Sequence, residues 1–161
     1  MSKQTKVLVS CVQEQWERTW AMWEGMIHNI PDEEWIKGDI DYLIPARHLI
    51  HVTVGDEVFM SDMPFEQYDY GQWFEVEAWE TPAAELPSKK VALEKLADYR
   101  AVVAARLAQL DDAALLEPEK AHPWTGQIRL SKLIFNQRHI QHHLGEMNAE
   151  LSRRGIEGVA W

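Results

Sequence analysis

From about Thr5 to Asn29 the apolar residues Leu8, Val12, Trp16, Trp20, Trp23, Ile27 and Ile30 recur every three or four positions, the spacing of one face of an amphipathic helix. Pro31 and the acidic run Asp32-Glu33-Glu34 end this first helix, and Trp35 is placed to pack back across the turn. Pro45 suits the first turn of a second helix, where its missing N–H costs nothing. Leu49, Ile50, Val54 and Val58 then carry that helix from about Ile44 to Met60. Between Ser61 and Pro87 the pattern dissolves into acidic and aromatic residues with three prolines and one glycine. A connection of that length usually carries function or short structure of its own, so it is expected to cover something; a short strand pair within 61–80 is the alternative. Ala92, Leu96, Tyr99, Val103, Leu107 and Leu110 mark a third helix from about Ser88 to Leu110. After a link containing Pro118 and Pro123, a fourth pattern starts near Arg129 with Leu130, Leu133, Ile134, Ile140, Leu144, Met147 and Leu151. It stops at Gly155. The economical reading is all-α: a four-helix bundle with a long connection between helices two and three, in one domain over residues 1–161.

The totals narrow what such a bundle can do. Of its 161 residues 46% are hydrophobic and 26% charged, the balance of a chain with a real core. A formal net charge of −10 excludes a duplex-binding surface, which needs clustered Lys and Arg, and it disfavours an anionic membrane. No apolar run approaches the roughly 20 residues of a spanning helix. Met1 to Lys6 are polar and show no secretory pattern, and the single cysteine, Cys11, excludes an internal disulfide. Both fit a reducing cytoplasm. Cys11 itself reads as a small, at least half-buried hydrophobe of helix one.

The candidate chemistry lies in the histidines. Three of the seven fall within Arg138-His139-Ile140-Gln141-His142-His143. At 3.6 residues per turn His139 and His143 share a face, close enough to ligate one cation, and both border the stripe of Leu133, Ile140, Leu144 and Met147. His142 falls opposite it. A catalytic zinc or nickel site typically has three protein ligands, so a third must come from another helix. Helix two offers His48 and His51. His51 is in register with Ile44, Val54 and Val58 and reads as nearer the buried face. Gly55, one turn on, leaves space for a metal-bound water or substrate, or equally reflects tight packing. His28 and His122 read as structural.

The segment Arg138-His139-Ile140-Gln141-His142-His143-Leu144-Gly145-Glu146-Met147-Asn148 resembles the fourth-helix signature of the DinB superfamily, the damage-inducible-type and YfiT-like four-helix proteins: a histidine followed three residues later by a histidine pair. Pro45-Ala46-Arg47-His48-Leu49-Ile50-His51 is similar to the family's second-helix segment, with His51 at the ligand position. The end of helix one, Ile30-Pro31-Asp32-Glu33-Glu34-Trp35, and the tail closing in Trp161 also fit. Where the family often carries Arg-Gly-Gln, this chain has Leu144-Gly145-Glu146. The resemblance implies an unusual connection order, one divalent ion held by three histidines (nickel or zinc, with manganese or iron as alternatives), and a homodimer. Relatives of this kind include transferases and isomerases that use low-molecular-weight thiols.

A three-histidine site can lower the pKa of a coordinated water toward about 7, polarise a carbonyl or bind a thiolate. Two functions follow as expectations. The first is a metal-dependent hydrolase or thiol S-transferase acting on a small molecule, with Glu146 orienting a ligand or serving as general base and with an open coordination position. The second is a non-catalytic binding or stress-response protein stabilised by its metal, with a plugged site. Glu57 is a further carboxylate in the region, and Trp73, Phe74 and Trp79 are the aromatics best placed to roof the metal. A di-iron carboxylate site is disfavoured, because paired Glu-x-x-His motifs on bundle helices are missing.

Overall fold

The periodic segments form helices close to their predicted bounds. A computed structural model describes residues 6–160, in which α1 spans Val7–Asn29, α2 Pro45–Met60, α3 Lys89–Gln109, the single-turn α4 Asp112–Leu115 and α5 Arg129–Arg153. Thr5 and Trp161 lie outside the described residues. The α4 turn falls within what the sequence suggests to be a plain link. Asp111 caps it, accepting the Ala114 N–H at 2.8 Å, and the next carboxylate, Asp112, accepts the backbone N–H groups of Val7, Leu8 and Val9 at 2.9, 2.9 and 3.2 Å, so the orphan donors that open α1 are capped by a residue more than 100 positions away. At the other end of the bundle Gly155 takes a left-handed φ of 71°. There Ile156 N–H bonds to the Leu151 carbonyl at 2.9 Å, closing α5 where the sequence stops it.

The helices pack in the pairs α1/α3, α3/α2, α2/α5 and α5/α1. Consecutive helices α1 and α2 therefore lie diagonally across the bundle, whereas α2 and α3 are neighbours running the same way, Glu57 near the end of α2 meeting Arg106 near the end of α3, so the segment between them has to return along the length of the bundle. Among the described residues no strand forms there. Instead the segment makes 3-10 turns at Phe65–Gln67 and Ala83–Glu85. Arg47, buried on α2, holds it down, its guanidinium donating to the carbonyls of Ala78 (2.6 Å) and Thr81 (2.7 Å). Trp35 does pack back, its indole donating to the Pro87 carbonyl at 2.9 Å.

Burial is uneven. On α1 it follows one stripe through Trp16, Trp20, Trp23 and Ile27, and Cys11, about 140° around the helix from Trp16, is exposed rather than half-buried. On α2 it covers nearly every residue, polar ones included, because α3, α5 and the 61–88 segment enclose it on all sides. Its buried charged side chains are consequently paired, whereas the Thr53 hydroxyl is buried without a partner among the described residues. Glu57 accepts from Arg106 at 2.6 Å, so that carboxylate belongs to a structural ion pair. Asp56, fully buried, accepts the indole N–H groups of Trp16 (2.7 Å) and Trp20 (2.9 Å) and an amide N–H of Asn136. One carboxylate thus joins α1, α2 and α5. Among the described residues no helix is long and apolar enough to cross a membrane.

Burial pushes the Asp56 carboxyl up from 3.8 to about 6, against the opposing pull of the Tyr99, Trp16, Asn136 and Trp20 donors around it. A carboxyl raised in the fold binds its proton more tightly there than in the unfolded chain. Its contribution is therefore complete below pH 3.8 and lost as pH rises through about 6. Comparing urea unfolding of wild type and Asp56→Asn isolates the effect: wild type should lose on the order of 2–3 kcal/mol relative to the variant between pH 4 and 7. Asp56→Ala, which strands three buried donors, should cost roughly 3–5 kcal/mol.

Candidate metal centre

The α2/α5 pair runs antiparallel, with Glu146 opposite His48, His143 opposite His51, His139 opposite Gly55 and Asn136 opposite Asp56. This register brings the three predicted histidines together. Nε2 of His143 lies 3.1 Å from Nε2 of His51 and 3.2 Å from Nε2 of His139. The rings meet nearly edge to face, His143 standing at 89° to His51 and 87° to His139. Two imidazole nitrogens about 2.1 Å from one shared ion, at angles of roughly 90–110°, lie about 3.0–3.4 Å apart, so the spacing suits a common cation.

Hydrogen-bond bookkeeping points the same way. Nδ1 of His143 sits 2.7 Å from a carboxylate oxygen of Glu146, which as an acceptor assigns the ring proton to Nδ1 and leaves a single lone pair on Nε2. That lone pair can accept one N–H, yet two ring nitrogens press on it. A cation satisfies all three rings at once. Their electrostatics prepare them for it: burial first, then mutual repulsion among the histidines, lowers His51 to about 3 and His139 to about 4, so both are neutral lone-pair donors at ordinary pH. His51, His139 and His143 can therefore hold one metal ion.

A family model of the DinB superfamily matches residues 15–147. The chain belongs to the DinB superfamily. No curated protein matches it. In this DinB-superfamily chain the three histidines singled out from the sequence stand together, while several of their neighbours differ from expectation.

Glu146 lies on the Nδ1 side of His143, and its Oε2 also meets the Tyr42 hydroxyl at 3.2 Å and His48 Nε2 at 3.4 Å. His48 is fully buried whereas His51 is only partly so, the reverse of the sequence expectation. The apolar stripe of α2 does not rank the two histidines, because this helix has no solvent face. His48 occupies the side that meets Tyr42 and α5, and its ring edge contacts Tyr42 at a centroid distance of 4.9 Å. Tyr42 carried no signal, since it stands in a 3-10 turn outside any helical period. His142 is exposed, as its phase requires, and reaches the other Glu146 oxygen at 3.3 Å. His28 is exposed and His122 buried, both outside the triad.

Gly55 accommodates close packing: a Cβ there would stand 2.9 Å from Cε1 of His139, and the same residue lines the cavity beside that ring. The aromatic segment divides in two. Trp79 stacks on Tyr42 at 5.1 Å and reaches His51 at 5.0 Å, roofing the site, whereas Trp73 packs on Tyr99 and Phe74 is buried in the core. Beside the triad a cavity of about 380 Å³ opens onto His51 and His139, walled by Phe59, Phe65, Trp79, Trp124 and Phe135 among others.

Two variants separate ligand geometry from folding. Gly55→Ala should displace the His139 ring and weaken zinc binding at least tenfold by calorimetry. Its thermal stability should stay equal or rise, because alanine is the better helix former by about 1 kcal/mol. Glu146→Gln keeps the shape but loses the charged acceptor for His143, and should cost roughly 10–100-fold in zinc affinity.

Proposed function

We propose that this chain is a metal-dependent enzyme of the hydrolase or thiol-transferase class, using one divalent ion, nickel or zinc in first place, at His51, His139 and His143. The observation that carries the reading is the cavity beside the triad. Three nitrogens converge within reach of one ion, and about 380 Å³ of space opens onto two of the three rings. A metal kept only for stability or sensing calls for a plugged site, so the cavity favours turnover over the non-catalytic alternative. A cation held there supplies Lewis-acid polarisation of a carbonyl or stabilisation of a thiolate.

The protein's own residues do the rest. The three imidazoles stay neutral and fixed in direction. Glu146 holds the Nδ1 proton of His143 and so keeps its Nε2 lone pair aimed at the ion, and Tyr42 steadies Glu146 from behind. This geometry supports the orienting role of Glu146 over that of general base. Trp79 and Phe59 keep water from the site on the roof and helix sides. The balanced reactions are simple. Hydrolysis adds water across an acyl bond, its proton leaving with the displaced group. In thiol transfer sulfur bonds to the electrophile, the leaving group departs with the bonding pair, and the thiol proton passes to it or to solvent. The reading includes a small-molecule substrate, a cytoplasmic setting and a homodimer, the last two resting on composition and family resemblance.

Purified wild type should take up close to one equivalent of zinc or nickel by elemental analysis. At a hundredfold excess over Kd the metal should stabilise it by about 2.7 kcal/mol, a rise in Tm of roughly 5–10 °C. His143→Ala should show neither uptake nor rise. Wild type giving no stoichiometric metal and no metal-dependent shift would overturn the proposal, and a screen of activated esters and thiol acceptors with the loaded protein decides between the two reactions.

A further inference from the structure

The cavity beside the histidines has an unusual wall. Phe65 and Trp124 lie nearly parallel at 5.9 Å, Phe59 stands edge-on to both, and Phe135 meets Trp124 at 88°. Tyr70 and Trp79 add two more rings. Among the described residues, and apart from the two histidines, the only side chains with charge on this wall are the carboxylates Glu77 and Glu80, and no lysine or arginine lines it. Around this cavity the aromatic faces present negative quadrupole potential and the rim presents negative charge, in a chain of net charge −10.

We infer that the cavity selects substrates bearing a compact organic cation, a quaternary or protonated amine, joined to the group that reacts at the histidine end. This rests on the proposed metal centre as the reacting end of the same site. A neutral aromatic substrate would find the apolar walls equally suitable but would gain nothing from Glu77 and Glu80. An anionic substrate would be repelled by both. The protein already seats a cation on one of these rings: the Arg138 guanidinium carbon lies 5.2 Å from the Phe135 centroid. Cation–π attraction to these rings adds to the pull of the two carboxylates, which offset the repulsion a cationic substrate would meet from a metal ion nearby.

A matched pair of ligands tests the idea. Acetylcholine and 3,3-dimethylbutyl acetate share shape and ester and differ in charge at one atom. Their binding is followed by tryptophan fluorescence at fixed physiological salt. Wild type should bind the cation at least ~10-fold more tightly than the neutral ester. Glu77→Gln/Glu80→Gln and, separately, Trp124→Leu should each shrink that preference severalfold. Both variants alter exposed residues and should leave folding intact, and Glu94→Gln, a charge removed elsewhere on the surface, should leave the preference unchanged. Equal binding of the two esters by wild type overturns the inference, as does a preference that survives both cavity variants. Zinc titration of the same samples separates the two levels: zinc binding without cation preference sinks only this inference, and cation preference without zinc binding sinks only the metal-enzyme reading.

Discussion

The antiparallel contact of α2 with α5 is the constraint on which the rest depends. Its register is set by a buried carboxylate, because Asp56 can be accommodated in the core only where it meets the indoles of α1 and the amide of Asn136 on α5. One turn from Asn136 stands His139, and one turn from Asp56 toward the start of α2 stands His51. A rotation of either helix that moved the histidines apart would also strip Asp56 of its donors. The metal centre and the polar core are therefore two ends of one arrangement, and the register of the ligands is held by residues that touch no ligand.

Around that axis the structure places polar and apolar surroundings on opposite sides of the triad. Behind His143, Glu146, Tyr42 and His48 form a hydrogen-bonded cluster that fixes one tautomer. In front of His51 and His139 lies the aromatic cavity. The separation matters chemically. His143 is oriented from a side to which the cavity gives no access, so the polar cluster leaves the space in front of His51 and His139 open.

The long 61–88 segment joins these two environments. Anchored by the buried Arg47 at Ala78 and Thr81, it swings Trp79 over the triad and brings Phe65 and Tyr70 to the cavity, while Trp73 and Phe74 bind it to the bundle. Its aromatics thus divide between the wall of the cavity and the packing of the segment onto the bundle. Composition along the segment does not distinguish them.

What the sequence by itself determined was local: four long helices and their ends, the shared face of His139 and His143, and the resemblance to the family to which the chain belongs. Helical phase follows from a fixed rise and turn, so a single segment suffices to read it. Tertiary structure decided the burial of His48, the cluster around Glu146, the fit of Gly55 against His139, the cap that Asp112 gives α1, and which aromatics line the cavity. Each of these depends on how one element is rotated against another distant in the chain. On α2, enclosed on every side, no polar face remained in the pattern to reveal that rotation.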